Sequence, residues 1–276
     1  MTPTLAPLDI HSLLRQNGLR PDKRLGQNFL FDTAALEQII QAAEMRPEDA
    51  VLEIGPGLGS LTRHLAAHAR KVTAVELDED LIPVLRTVLA GHDNVHIVAG
   101  DILRFDPAQL VDSDDYLVVA NVPYNITSAI FRHLLAGRPR PRRIVLTIQK
   151  EVAERICANP GDLSLLALSV QVYGKPAIAA TIPPEAFYPA PRVDSAVIRI
   201  DLYPEPVIPV ERLERFFRLA RAGFSQKRKT LRNSISAGLA ISTHAASQAL
   251  EEAGIDPQRR AETVSLEEWS RLARSE

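Results

Sequence analysis

The sequence predicts an α/β fold with an open, mostly parallel sheet, followed by a small all-helical domain. The apolar run 50–54 stops at a glycine turn and continues as a helix pattern over 58–67, which is the start of a βαβ unit. Successive predicted strands end at Gly55, Glu76 and Asp101. A proline-rich segment, 203–209, is then followed only by helical patterns.

The other helices and strands are predicted from the periodicity of apolar residues, from helix-capping side chains and from helix-ending glycines. Asp9 is predicted to cap a short helix ending at Gly18, Asp32 to cap a helix over 33–43, and Asp80 to open a third. Apolar runs predict strands at 71–76, 94–101, 115–120, 143–148, 178–182 and 193–202. Helical periodicity predicts helices at 152–158, 163–173, 211–224, 227–239, 245–253 and 266–273.

Length and composition limit the classes of protein to which this chain can belong. The chain has 276 residues, a formal net charge of -2, 46% hydrophobic residues and 24% charged residues, as expected of a globular protein with a sizeable core. Its single cysteine, Cys157, excludes an intramolecular disulfide and a multi-cysteine metal site. The sequence contains neither a signal-peptide pattern nor an apolar run of about 18 residues, so we expect a cytoplasmic protein without membrane contact.

The glycine turn has the spacing Gly55-x-Gly57-x-Gly59, which is shorter than the G-x-G-x-x-G of dinucleotide sites. Such a turn lets the backbone approach a ligand closely. Glu53 stands just before it and would repel a diphosphate, but would orient a cation such as the amine of an amino-acid moiety. An ordinary strand-to-helix turn would show the same glycines, so the neighbouring residues must show whether this turn binds a ligand.

Two further strand ends carry acids. Glu76 can accept hydrogen bonds from both hydroxyls of a ribose, and Asp101 from the exocyclic amine of an adenine, with Leu77 and Ile102 as apolar contacts. Either acid alone is equally well explained as a solvated strand end. In an open parallel sheet, however, these strand ends converge on one crevice where ligands bind.

The most specific stretch is Asn121-Val-Pro-Tyr124, at the end of the fourth predicted strand. The N6 amine of adenine is a weak nucleophile because its lone pair is delocalised. The Asn121 side-chain oxygen and a carbonyl at Val122 or Pro123 can accept its two hydrogens and aim the lone pair at an electrophile. Tyr124 can stack on a base withdrawn from its helix or loop.

Two other segments contain candidate site residues. Gln27-Asn28 lies in a basic, irregular stretch, 20–30, and is read either as ordinary turn residues or as part of a site. The loop 183–195 contains four prolines and is expected to present Phe187 and Tyr188, although such aromatic residues often fill a core.

Basic residues cluster in two places. Between Arg212 and Arg232 there are eight basic residues and one acid, Glu214, which indicates either a solvated helix face or a surface for a polyanion. The second cluster consists of Arg138, Arg140, Arg142 and Arg143.

These motifs together resemble the ribosomal small-subunit RNA adenine N6-dimethyltransferase family, which uses S-adenosylmethionine. The resemblance runs from about residue 10 to the end of the chain. The matching stretches are 24–30, 53–59, Glu76, 100–101, 121–124, 187–195 and 224–233.

The resemblance implies a Rossmann-like class I methyltransferase sheet in residues 1–204, with an N-terminal extension 1–30, and a helical RNA-binding or ribosome-binding domain in 205–276. It implies dimethylation of two adjacent adenosines in a hairpin loop near the 3′ end of small-subunit (16S-type) ribosomal RNA during ribosome assembly. We therefore expect a monomer that binds the small subunit and holds no metal.

Site roles come from the same resemblance. Its cofactor-binding residues would be Asn28, Leu30, Gly55, Glu76, Asp101 and Asn121. Asn121, Tyr124 and Phe187 would surround the target base. Val122 stands where many relatives have leucine or isoleucine. We expect no consequence of this difference, because the residue would accept the amine hydrogen through its main-chain carbonyl and not through its side chain.

Three other readings compete. A large-subunit RNA adenine methyltransferase of the resistance type fits the 26–30 and 224–231 segments less well. A non-catalytic RNA-binding factor would not need the intact 121–124 stretch and the full set of cofactor residues. A nicotinamide dehydrogenase is excluded by the glycine spacing and by the lack of a plausible hydride-site pair.

Overall fold

The computed structural model describes residues 5–274, which divide into two compact units. The first unit holds the residues up to Ala153 together with Ala177–Leu202, and the second holds Glu154–Pro176 and the residues from Tyr203 onward. The second unit's main part begins next to the predicted boundary at 204/205. The sequence did not reveal that Glu154–Pro176, which carries the helix Leu165–Gln171, belongs to it as well.

The strands are β1 (Phe29–Leu30), β2 (Ala50–Ile54), β3 (Lys71–Glu76), β4 (Val95–Ala99), β5 (Tyr116–Asn121), β6 (Arg143–Gln149), β7 (Gly174–Ile182), β8 (Phe187–Tyr188) and β9 (Ser195–Leu202). The α-helices are α1 (Ile10–Gln16), α2 (Thr33–Ala43), α3 (Ser60–Ala66), α4 (Ile82–Val88), α5 (Pro107–Leu110), α6 (Thr127–Ala136), α7 (Lys150–Ile156), α8 (Leu165–Gln171), α9 (Leu213–Gly223), α10 (Leu231–Leu239), α11 (Thr243–Glu252) and α12 (Leu266–Arg274).

Seven strands form one sheet in the order β4-β3-β2-β5-β6-β9-β7, which is the predicted Rossmann-like methyltransferase arrangement. The pairs β4–β3, β3–β2, β2–β5 and β5–β6 are parallel, whereas β6 and β9 run antiparallel from Arg143↔Asp201 to Gln149↔Ser195. The carboxyl ends of β2, β3 and β5 therefore share one edge of the sheet. Because β9 is antiparallel, its first residue lies beside the carboxyl end of β6.

The sheet is buried because its central strands are almost continuously apolar, as expected where helices cover a parallel sheet. Helix α2 begins at its predicted cap, since Asp32 accepts a hydrogen bond from the Ala35 N–H at 2.8 Å. Its apolar face, including Leu36 and Ile39, packs into the main core cluster with Leu65 and Val119.

The N-terminal segment belongs to the same unit. Ile10 and Leu14 of α1 are in one apolar cluster with Phe29, Leu58 and Leu81. This packing fixes the stretch that leads into β1 above the glycine turn.

The second unit contains α9–α12, as its amphipathic patterns predict. Trp269 of α12 and Phe216 of α9 are fully buried. A Cβ atom at Gly223 would come within 2.6 Å of the Trp269 ring, so the close approach of α9 and α12 needs glycine there. Helix α10 begins at Leu231 and not near Lys227, because residues 227–229 form a turn before the helix.

Within residues 5–274, no helix has both the length and the apolar character needed to cross a membrane.

Candidate active site

A pocket of about 980 Å³, including its open mouth, lies at the sheet edge where β2, β3 and β5 end. Its walls come from the 25–30 segment, the glycine turn, the ends of β3 and β5, and residues 100–102. Among the described residues that line it, Glu53, Glu76 and Asp101 are acidic, and none is lysine, arginine or histidine. Such a lining favours a cationic ligand and opposes a diphosphate.

The glycine turn is shaped for close approach of a ligand to the backbone. Gly55 and Gly57 have φ angles of 68° and 59°, in the left-handed region that favours glycine. A Cβ atom at Gly55 would meet nothing within 4 Å, so the backbone there borders open space. At Gly57 it would lie 3.0 Å from the Phe29 ring, so the turn and the N-terminal segment pack tightly together.

Glu76 ties the glycine turn to the end of β3. One carboxylate oxygen accepts the Gly57 N–H and the other the Asp78 N–H, both at 2.9 Å. Burial raises the pKa of Glu76, while these two N–H donors act in the opposite direction. The carboxylate is thus held rigidly in the pocket wall with lone pairs left to accept further hydrogen bonds.

Glu53 is 1% exposed, and its Oε2 has no hydrogen-bond partner among the described residues. Burial, and in smaller part the charge of Glu76, raises the pKa of Glu53 to about 8, although the nearby Thr62 side chain acts in the opposite direction. An unpartnered buried carboxyl group is costly unless a ligand compensates it. The group is therefore suited to meet a positive charge in the pocket.

Asp101 caps the short turn that follows β4, where its Oδ1 accepts the Leu103 N–H at 3.0 Å. Leu77 and Ile102 line the pocket beside it, and their contact with an adenine ring stays a prediction. Leu77 is 50% exposed, an unusual state for a leucine that its place at the mouth of the pocket accounts for.

The N-terminal segment closes one side of the pocket with Asn28 and Leu30, both among its lining residues. The Asn28 side chain donates to the Gly26 carbonyl at 3.1 Å. Gln27 donates through Nε2 to Asp78 Oδ2 at 2.6 Å, which joins this segment to the loop after β3. No sequence signal had pointed to Gln27 and Asp78 as partners.

Asn121 stands at the end of β5 with a fixed orientation. Its Nδ2 donates to the Asn28 carbonyl at 3.0 Å, and a carbonyl can only accept, so Oδ1 faces the other way. No described residue donates to that Oδ1. The Pro123 carbonyl already accepts the Ile126 N–H, which favours Val122 as the second acceptor for an amine.

Tyr124 lines the pocket immediately after Asn121. Its hydroxyl oxygen lies 2.6 Å from Ser195 Oγ, at the start of β9. Ser195 ends the 187–195 motif, but no local sequence pattern predicts its contact with Tyr124.

Phe187 requires a correction. The sequence predicts that the proline-rich loop presents this ring, yet Phe187 is only 3% exposed and belongs to the apolar core cluster that contains Leu36 and Ile39. It pairs with Leu30 as β8 meets β1, and it is not among the lining residues of the pocket. Apolar packing against the core explains this position, and a contact of Phe187 with a target base stays a prediction.

The two basic clusters differ. Arg142 is paired with Asp49 and Asp115, and Arg143 with Glu44 and Asp201, so the charges of these two arginines are largely neutralised. By contrast, no ion pair within residues 5–274 involves the exposed side chains of the 212–232 run, which are Arg212, Arg218, Arg221, Lys227, Arg228 and Lys229. Their charges are available to a polyanion.

The sequence matches the family described as "Ribosomal RNA adenine dimethylase" over residues 18–275. Ribosomal RNA small subunit methyltransferase A of Dehalococcoides mccartyi strain CBDB1 is 45% identical over 255 residues, covering 92% of this chain and 88% of the relative. The protein of the same name from Moorella thermoacetica is 44% identical over 275 residues, covering 96% and 95%.

Solved structures agree with the fold. The 23S rRNA methyltransferase ErmE superposes with a TM-score of 0.72 at 31% identity, covering 89% of this chain and 98% of that one. A dimethyladenosine transferase from Plasmodium falciparum gives 0.74 at 26% identity, covering 88% and 95%.

Proposed function

This chain belongs to the ribosomal RNA adenine dimethylase family, and we propose that it dimethylates N6 of two adjacent adenosines near the 3′ end of small-subunit ribosomal RNA during ribosome assembly. The observation that carries this proposal is the presence of Asn121 and Tyr124 in the lining of a pocket whose described charged residues are all acidic. The proposed target is a hairpin loop of the 16S-type RNA, and the proposed compartment is the cytoplasm.

The methyl donor proposed for this pocket is S-adenosylmethionine, which carries a positive sulfonium and an ammonium group. Three features fit it: the buried Glu53, whose Oε2 has no hydrogen-bond partner among the described residues, the open backbone at Gly55, and the absence of basic residues from the described lining. In this proposal, Glu76 holds the ribose and Asp101 the adenine. Asn28 and Leu30 cover the ligand from the N-terminal side.

When bound, S-adenosylmethionine supplies a methyl group on a charged sulfur that needs no further activation. The protein's task is then mainly to position the target amine, which contributes about 7–11 kcal/mol in favourable cases. Asn121 Oδ1 and the Val122 carbonyl would accept the two amine hydrogens and direct the nitrogen lone pair. Tyr124 would stack on the base, worth about 1–3 kcal/mol.

The substrate RNA is proposed to contact the second unit. The exposed, unpaired basic side chains between Arg212 and Lys229 provide the phosphate contacts that a chain with a net charge of -2 otherwise lacks.

Methyl transfer from labelled S-adenosylmethionine tests the proposal. We expect label in an undermethylated small subunit, and little in the large subunit or in free RNA. Label in the large subunit would instead support the resistance-type reaction. No label in any RNA, from protein that binds the methyl donor, would support a non-catalytic binding role.

A further inference from the structure

Ser195 reaches the active-site edge because of the sheet topology. Strand β9 runs antiparallel to β6, and its first residue pairs with Gln149 at the carboxyl end of β6. The same edge carries the ends of β2, β3 and β5. A side chain at the start of β9 can therefore reach the residues that follow β5.

The Ser195 side chain is fully buried, and its one polar atom bonds Tyr124. The distance of 2.6 Å between the two oxygens is short for a hydroxyl pair. Burial raises the pKa of the Tyr124 phenol, so its proton stays in place and the hydrogen bond persists at neutral pH.

We propose that Ser195 is a positioning residue that holds the Tyr124 ring in the orientation required to stack on the target adenine. This role rests on the proposed function. A tyrosine ring turns about χ1 and χ2. A hydrogen bond to the hydroxyl at its far end restricts χ1, because that rotation moves the oxygen, and it restricts χ2 through the preference of the phenolic O–H for the plane of the ring. The Tyr124 main chain is itself anchored, because its carbonyl accepts the Thr127 hydroxyl at 3.1 Å. Fixing both ends places the ring before the base arrives and reduces the ordering cost of binding.

The test compares Ser195→Ala, Tyr124→Phe and the double variant in methyl transfer to undermethylated small subunits. Each single change should lower kcat/KM about threefold to tenfold, the effect of losing one buried hydrogen bond. The double variant should be no worse than either single variant, because all three lack the same bond. Calorimetry should show unchanged affinity for S-adenosylmethionine.

A matched control separates positioning from general stability. Tyr116, at the start of β5, is fully buried and donates its hydroxyl to the Pro139 carbonyl at 3.2 Å. Like Tyr124→Phe, Tyr116→Phe removes one tyrosine hydrogen bond, but Tyr116 does not line the pocket. The variant should lower the melting temperature and leave kcat/KM unchanged. Ser195→Thr keeps the hydroxyl and should recover most of the activity lost in Ser195→Ala.

Three outcomes would overturn the assignment. One is wild-type kcat/KM in Ser195→Ala, and another is additive losses in the double variant. The third is a Tyr116→Phe defect as large as that of Ser195→Ala. If the wild-type protein itself fails to methylate small subunits, the proposed function falls and the positioning role falls with it. Wild-type activity that is insensitive to Ser195 removes the positioning role alone.

Discussion

The side chain of Asn121 donates a hydrogen bond to the main-chain carbonyl of Asn28 at 3.0 Å, across 93 positions of the sequence. One bond thus joins the segment that covers the pocket to the side chain proposed to receive the target amine. It also determines which end of the Asn121 amide faces the amine. We infer that covering the methyl donor and orienting Asn121 are coupled.

Asn121→Asp is expected to lower kcat by about 100-fold or more, the effect typical of losing one oriented active-site hydrogen bond. A carboxylate cannot donate to the Asn28 carbonyl and would repel it. Single-turnover methyl transfer at saturating substrate measures the step. Asn125→Asp introduces the same charge at an exposed neighbour that does not line the pocket, and should remain active. Near-normal turnover in Asn121→Asp would contradict the role of this bond.

The sequence predicted the local features of the site but not its long-range pairs. Strand ends and glycine spacing placed Gly55, Glu76 and Asp101 at one edge because parallel strands end together. Nothing in a local pattern specifies that residues 28 and 121, or 124 and 195, meet. The burial of Phe187 also depends on a distant partner, Leu30, which pairs with it as β1 meets β8.

The helical unit shows the same limit. Periodicity identified α9–α12, but it extended α10 back to Lys227, whereas the structure has a turn there and starts the helix at Leu231. Glu154–Pro176 belongs to the second unit through its packing, and a single boundary placed along the sequence cannot predict a unit made of two separate stretches.

Glu76→Ala is expected to weaken binding of S-adenosylmethionine by about 2–4 kcal/mol, as for one or two hydrogen bonds to a charged group. The variant also loses the acceptor for the Gly57 N–H, so the glycine turn should loosen. Calorimetry measures the affinity. Glu79→Ala removes an acid of the same type that is exposed and does not line the pocket, and should bind normally. Equal affinity in a folded Glu76→Ala protein would remove Glu76 from the site.

Glu53 should make the free energy of unfolding depend on pH. Its pKa is about 8 in the folded protein against a usual 4.5, so between these values the folded state binds more protons than the unfolded state. Stability should therefore fall as the pH rises through this window, by at most about 1.4 kcal/mol per pH unit for one proton. Glu53→Gln cannot ionise and should reduce that slope. Urea denaturation of both proteins from about pH 5 to pH 8 provides the comparison. Parallel stability curves would show that Glu53 does not titrate in this range.

The last prediction concerns the exposed turn Lys227-Arg228-Lys229, where a solvated surface and an RNA contact lead to different results. None of the three residues lines the pocket, so their reversal to glutamate should leave affinity for S-adenosylmethionine unchanged under either reading. If they contact phosphates, affinity for the small subunit should fall. The slope of log K against log salt should also decrease in magnitude by roughly 0.7–0.9 for each lost contact.

A charge-matched control decides between a local contact and general repulsion. Reversing Arg86, Arg132 and Arg274, which are all exposed, gives a protein with the same net charge. If general electrostatics governs binding, both triple variants should lose affinity equally. If the turn contacts RNA, only the 227–229 variant should lose the salt-dependent part of its affinity for the small subunit. Equal slopes in the wild type and the 227–229 variant would transfer the RNA contact elsewhere. Because Arg142 and Arg143 are already paired with acids, the exposed arginines of α9 would then be the next side chains to reverse.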